Sequence, residues 1–318
     1  MSDPMQADNQ GARRGQLSGV LCVFQTPWLD DESLDRTTLL GELDWLVAAG
    51  ADGVVMAMVS ELLRMSSAER DEVAELVCGV MRGRGATVIS VGAESSRVAG
   101  DHARHAEACG ADALMAIPPV ATALGDAAIL NYYRSILDST SLPLVVQDAS
   151  GYVGRPIPIP VQVALLNEFG EDRVWFKPET PPIGQRLSAL REASGGRARV
   201  FEGTGGIALV DSYRRGVVGT MPGADLARAV VALWRALGRD DQTTADAIHG
   251  PLAALVSMQT SLDAFLAVEK HLLVLQGVFT NTVVRGPCGF ELDEETRDEV
   301  ERLFALLMAA IPAPGESS

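Results

Sequence analysis

Lysine is nearly missing from this chain. Of 26 basic residues, 24 are arginine and only Lys177 and Lys270 are lysine. Cation of either kind is scarce, because 42 acidic residues leave a net charge of −16. That balance excludes the clustered positive surface a phosphate backbone requires, so no nucleic-acid partner is expected. No stretch of 18 uninterrupted apolar residues occurs, which excludes a helix crossing a membrane. The four cysteines (Cys22, Cys78, Cys109, Cys288) are scattered, with no C-x-x-C pair. This excludes a thiol metal knuckle or a disulfide scaffold and predicts reduced, mostly buried thiols in a cytoplasmic protein. Residues 1–16 lack an apolar core of the secretory kind and are expected to form a frayed tail, as are residues 311–318.

What is present is a chain of 318 residues, 47% hydrophobic and 21% charged, enough for one large domain or two ordinary ones. Short apolar runs alternate with helical patterns. Strands are predicted at 19–24, 53–58, 87–92, 113–117, 144–147, 174–177, 200–202 and 217–221. Each precedes a helix, at 34–49, 67–84, 97–109, 126–138, 161–169, 183–193, 207–215 and 224–237. Eight β–α units with no ninth strand predict a closed α/β fold, a (β/α)8 TIM barrel over residues 17–238. Residues 239–310 show only helical periodicity, at 243–259, 261–277 and 294–310. They are expected to form a C-terminal helical extension packed on the barrel.

The run Val174-Trp175-Phe176-Lys177-Pro178 places one of the two lysines at the end of the predicted sixth strand, where barrel enzymes keep their chemistry. A guanidinium does not deprotonate in a protein, whereas a desolvated amine can, and only a neutral amine attacks a carbonyl. Alternation puts Trp175 beneath Lys177 on the barrel-facing side, where it would exclude water and push the amine's pKa down. Lys177 is therefore the candidate Schiff-base nucleophile; the competing reading is a strand-ending lysine that reaches to water.

Several motifs in order along nearly the whole chain resemble the dihydrodipicolinate synthase / N-acetylneuraminate lyase superfamily of class I aldolases and dehydratases. Thr26-Pro27-Trp28 is similar to the family's T-P-F. The stretch from Val55 to Glu61, followed by Met65-Ser66-Ser67-Ala68-Glu69, sits where the family has G-T-T-G-E and L-S-x-x-E. Leu142-Pro143 through Gln147-Asp148 resembles L-P-x-x-x-Y-N, Phe176-Lys177-Pro178-Glu179 resembles the Schiff-base K-[DE], and residues 216–221 resemble the eighth strand. Lys270-His271 through Arg285 resembles the C-terminal helices. The resemblance implies a lyase that uses no cofactor beyond a covalent lysine Schiff base, acts on a small-molecule 2-oxo acid, and assembles as a homotetramer or homodimer.

The sequence also departs from that pattern. The family's fifth-strand tyrosine is Gln147, its two threonines are Met58 and Val59, and a further relay tyrosine falls on Pro119 or Val120. The arginine that grips a second carboxylate falls near Tyr152, which argues against lysine biosynthesis. Ser60-Glu61, Gln147-Asp148, Lys177-x-Glu179 and Gly219-Thr220-Met221 look closer to 2-keto-3-deoxy sugar-acid dehydratases of the L-arabonate type. On this reading Lys177, Gln147 and Glu61 are the catalytic candidates. Ser60, Val59, Tyr152, Glu179, Gly203, Thr204 and Met221 are the substrate-binding ones. Ser60 and nearby amides would hold the substrate carboxylate, and Gln147 would orient a water or hydroxyl but cannot titrate. Glu61, Glu179, Glu202 and Tyr152 are the proton-shuttle candidates, Glu202 if it points into the barrel. The Gly203-Thr204-Gly205-Gly206 turn resembles an anion cradle, though a tight β–α connection accounts for it equally. No metal site is expected: His102 and His105 have helix spacing for one but read as a solvated face. His249 and His271 are read as isolated, Lys270 as a surface or interface residue. An aldolase, or a non-catalytic homologue that binds a keto acid or a protein, remains open as an alternative.

Overall fold

The strand–helix alternation closes on itself. The structure, a computed structural model, describes residues 17–151 and 153–312. Its eight strands are β1 (Gly19–Val23), β2 (Gly53–Met56), β3 (Ala86–Ser90), β4 (Ala113–Ala116), β5 (Leu144–Asp148), β6 (Val174–Pro178), β7 (Arg199–Glu202) and β8 (Gly219–Thr220). They form one closed parallel barrel in sequence order, β8 pairing back to β1. The helices that follow them in turn are α1 (Arg36–Ala49), α2 (Ser67–Met81), α3 (Ser96–Cys109), α4 (Asp126–Asp138), α5 (Ile159–Phe169), α6 (Ile183–Ala193), α7 (Leu209–Arg214) and α8 (Ala227–Gly238). Three more follow: α9 (Gln242–Val256), α10 (Leu262–Leu275) and α11 (Glu294–Ala310). Among the described residues no helix is long and apolar enough to cross a membrane.

Local chemistry sets the boundaries. Asp35 accepts from the Thr38 amide at the start of α1, and Ser66 with Glu69 forms a reciprocal capping box on α2. Asp241, Ser261 and Asp293 cap α9, α10 and α11 in the same way. Period-two alternation then sorts the strand side chains. Leu21, Val55, Met115, Val145, Trp175 and Phe201 fill the barrel interior, while Val54, Val146, Val174 and Phe176 pack under the helices. Burying each such side chain contributes about 1.5–3 kcal/mol.

Two strands fall two or more residues short of the predicted apolar runs. The run at 217–221 yields only Gly219–Thr220 as β8. After Met56 the chain leaves the β2 ladder for a 3-10 turn at Met58–Ser60, because the Ser60 hydroxyl accepts from the Ala57 amide at 3.1 Å and donates to Phe24 O at 2.6 Å. The helices after the barrel pack on its outer layer and its mouth. α9 lies on α8 and α11, and α10 lies on the turns that follow β2 and β8, at the C-terminal mouth.

Candidate active site

The parallel register of β5 and β6 sets Gln147 beside Lys177. Both side chains are buried and both face a cavity of about 40 Å3 at the C-terminal mouth, the space of roughly three water molecules. Trp175 lies one layer below, fully buried against Phe201 at 6.2 Å between ring centroids. Lys177 Nζ is 2.9 Å from Oε1 of Glu179, itself buried, and Gln147 Nε2 donates to the other Glu179 oxygen at 2.8 Å. Burial pushes the Glu179 carboxyl up; the neighbouring Lys177 charge and the bond from Gln147 oppose this without cancelling it. Among the described residues Gln147 Oε1 has no hydrogen-bond partner.

Gly203 supplies the room for this arrangement. A Cβ there would stand 2.8 Å from Lys177 Cε and 2.7 Å from Glu179 Cγ. The rest of the wall includes Val59, Met221 and Gly223, and the mouth is rimmed by Leu262, Phe265 and Glu269 of α10.

Of the candidates named from sequence, Lys177, Gln147, Val59, Glu179, Gly203 and Met221 meet at this cavity. Ser60, Glu61 and Thr204 do not line it. The Ser60 hydroxyl is taken by main-chain partners, as described for the turn after β2. Thr204 turns away, its hydroxyl bonded to Glu202 Oε1 and its oxygen accepting from the Ala208 amide at 3.0 Å. The expectation that Glu202 points into the barrel fails. It follows Phe201, which fills the interior, so the pleat turns it to the helix side, where Thr220 Oγ1 donates to it at 2.7 Å. Tyr152 lies outside the described residues.

Glu61 and Lys270 turn out to be partners. Lys270 is fully buried rather than at a surface, and its ammonium donates to Glu61 Oε1 at 2.5 Å, Thr26 O at 2.9 Å and Val283 O at 2.6 Å. Glu61 also accepts from Trp28 Nε1 at 2.8 Å and from the Arg285 amide at 3.0 Å. With all these bonds made, and with its backbone in the left-handed region at φ 58°, Glu61 is a clamp between barrel and extension rather than a free shuttle.

The histidine readings also change. His102 is not on a solvated face: it is buried, with Nδ1 2.9 Å from Asp71 Oδ1. His105 meets Cys109 and Glu75, the three ligand atoms lying within 4.8 Å of one another on the outer helix layer. His271 pairs with Glu301 at 2.9 Å and His249 Nε2 lies 2.8 Å from Ile207 O, so neither is isolated. All four cysteines are free; Cys22 and Cys78 are buried, Cys109 half-buried and Cys288 exposed.

The sequence reading missed Glu269. It lines the Lys177 cavity, is 2% exposed, and takes a hydrogen bond on Oε2 from Gln25 Nε2. Its position at i+7 from Leu262 and i+4 from Phe265 on an apolar stripe was the available signal.

Comparison with known proteins follows the same lines. Residues 16–306 match the dihydrodipicolinate synthetase family. The chain is 27% identical over 290 residues to an L-2-keto-3-deoxyarabonate dehydratase of Azospirillum brasilense, spanning 89% of this chain and 92% of that one. It is 25% identical over 293 residues to the probable 2-dehydro-3-deoxy-D-pentonate aldolase YjhH of Escherichia coli K12, spanning 91% and 97%. Among solved structures, a putative dihydrodipicolinate synthetase from Pseudomonas aeruginosa superposes with a TM-score of 0.84 at 22% identity, covering 92% of this chain and 100% of that one. Over nearly its whole length, then, the chain belongs to the dihydrodipicolinate synthetase family and is a lyase of the class I aldolase and dehydratase type.

Proposed function

We propose that Lys177 forms a Schiff base with a 2-oxo acid and that the protein dehydrates a 2-keto-3-deoxy sugar acid. The observation that carries this reading is the buried Lys177–Glu179 contact of 2.9 Å beside a cavity at the barrel mouth. A proton passing from the ammonium to Glu179 along that contact leaves the neutral amine, which adds to the keto carbon. Once water is lost, the iminium draws electrons from C3 and acidifies it. Glu179, pushed up by burial and bonded by Gln147, is the group next to the amine suited to take the C3 proton. Gln147 Oε1 can accept from a substrate hydroxyl. Neither Met58 nor Val59 offers a hydroxyl, so the substrate carboxylate would rest on the main-chain amides that open their 3-10 turn, for which the turn itself has no acceptor.

Dehydration is preferred over aldol cleavage because a carboxyl and an amide, Glu179 and Gln147, stand beside the amine, and because the A. brasilense dehydratase is 27% identical against 25% for YjhH. YjhH supports the cleavage alternative. By the same family resemblance the chain is proposed to assemble as a homotetramer or homodimer, and light scattering that finds only monomer would remove that part.

The test is borohydride reduction in the presence of pyruvate or a 2-keto-3-deoxypentonate, followed by mass measurement of the protein and its peptides. An adduct on Lys177, absent in Lys177→Arg together with turnover, is expected. A 2-oxo semialdehyde product identifies dehydration, whereas pyruvate plus an aldehyde identifies cleavage. No adduct with any 2-oxo acid would leave a binding-only homologue.

A further inference from the structure

Elimination of water across C3 and C4 needs a second group besides the base at C3. Hydroxide is a poor leaving group, and an acid that protonates the departing oxygen contributes about 100- to 10,000-fold. Glu179 sits against the nitrogen that bonds C2, so its place is at C2 and C3. We infer that Glu269, which reaches the same cavity from α10 on a different wall, is the acid that protonates the C4 hydroxyl, with Asp225 and Gln25 holding it in place. This rests on the dehydration reading above and assigns the step that reading leaves without a donor.

The surroundings of Glu269 are built for a carboxylic acid rather than a carboxylate. Glu42 of α1, Asp225 in the turn before α8 and Glu269 of α10 are each no more than 2% exposed. Gln25 joins them: its side-chain amide donates to Glu269 Oε2, and its main-chain amide donates to Glu42 Oε1 at 2.8 Å. Gly223 leaves room for the other two, since a Cβ there would lie 2.5 Å from Glu269 Oε1 and 2.8 Å from Asp225 Oδ1. Lys270, adjacent in sequence, is turned to Glu61 and is not the partner of this group. Desolvation, with the charges of Asp225 and Glu42, pushes Glu269 well above the ordinary carboxyl range, against the bond from Gln25 and the charge of Lys177 across the cavity. Among the described residues Glu42 Oε2, Asp225 Oδ2 and Gln25 Oε1 are buried acceptors without partners, and a carboxylic O–H is the donor they lack. Two buried carboxyls crowded at one glycine disfavour joint ionisation, which favours a proton kept beside the cavity.

The step balances. With the substrate held as the enamine on Lys177, the C4–O bond breaks with its electron pair on oxygen. Glu269 gives that oxygen its proton and water leaves. The enamine pair becomes the C3–C4 double bond, conjugated with the regenerated iminium. Glu179 has gained the C3 proton and Glu269 has lost one, and exchange with solvent resets both.

Glu269→Gln keeps shape and removes the acid. It is expected to retain the borohydride-trapped pyruvate adduct and solvent-deuterium exchange at pyruvate C3. Dehydration of a 2-keto-3-deoxypentonate should fall by at least about 100-fold. The 4-chloro analogue, whose leaving group needs no proton, should be eliminated at close to the wild-type rate. Wild-type dehydration rates in Glu269→Gln overturn the inference alone, as does an equal loss with the hydroxyl and chloro substrates, which would mark a structural role. A wild-type protein that forms the adduct but cleaves C3–C4 overturns the dehydration reading and this inference with it.

Discussion

Replacing Gly203 by alanine tests how tightly Lys177 is held. The added Cβ would stand 2.7 Å from Glu179 Cγ, 2.8 Å from Lys177 Cε and 2.9 Å from Lys177 Cγ. Carbon atoms settle at about 3.5–4.0 Å, so the lysine stem must retreat by about 1 Å. Gly203 is not among the residues with positive φ, so the backbone accepts alanine and the effect is that of the methyl group alone. Overpacking of this kind costs about 1–3 kcal/mol of stability, which leaves the protein folded. A displacement of about 1 Å at a reacting atom costs on the order of 100-fold in rate, or about 2.7 kcal/mol of barrier. Turnover and the rate of borohydride trapping with pyruvate should therefore both drop by that factor, while urea unfolding shows a modest loss. Gly79→Ala is the control. It lies within α2 with nothing inside 4 Å of its Cβ position, so alanine there should leave turnover unchanged and add up to about 1 kcal/mol of stability. Unchanged trapping and turnover in Gly203→Ala would refute the claim that this contact fixes the amine.

Other perturbations separate the clamp from the chemistry. Lys270→Met strands the buried Glu61 charge and should lower the unfolding free energy by about 3–5 kcal/mol; the double variant with Glu61→Gln should recover much of it. Unchanged urea midpoints would refute the clamp. The Asp225 carboxyl is raised from 3.8 to about 7 by burial. A raised acid binds its proton more tightly in the folded state, so its contribution is complete below pH 3.8 and is lost as pH rises toward 7. Asp225→Asn should flatten that part of the stability–pH curve, and an unaltered slope between pH 4 and 7 would count against it. Ser60→Ala removes the hydroxyl that bends the chain after β2 and should cost about 1–3 kcal/mol in chemical denaturation, since the Ala57 amide and the Phe24 carbonyl lose their partner.

The barrel was legible because its signal is regional: apolar runs such as Leu144–Asp148 and Val174–Pro178 alternate with capped helices, and a closed parallel sheet follows. Lys177 was legible for a chemical reason, as an amine in a chain that otherwise uses guanidinium. The same argument applied to Lys270 would have placed it in the interior, where Leu266 and Leu273 bracket it on a buried helix face. Ser60 and Thr204 misled because a short hydroxyl side chain is readily taken by nearby groups, Ser60 by the Ala57 amide and Phe24 O, Thr204 by Glu202 and the Ala208 amide. Glu269 was hidden by its neighbour. A glutamate followed directly by a lysine reads as an exposed pair, yet successive helix positions point about 100° apart and here serve different partners.

That divergence joins the extension to the cavity. Lys270 docks α10 through Glu61, Thr26 O and Val283 O, so it ties the helix to the chain following β1 and β2 and to the segment beyond α10. With the helix held there, one residue earlier in the sequence sends Glu269 to the cavity wall, toward Gln25 and Asp225. Leu262 and Phe265, on the same stripe, cover the mouth and keep bulk water from the amine. A barrel of eight strands and helices alone would hold Lys177, Gln147 and Glu179 in an open cup. The buried ion pair contributes little net stability once its desolvation is counted, and its value lies in fixing the register at which an acid and an apolar lid meet that cup.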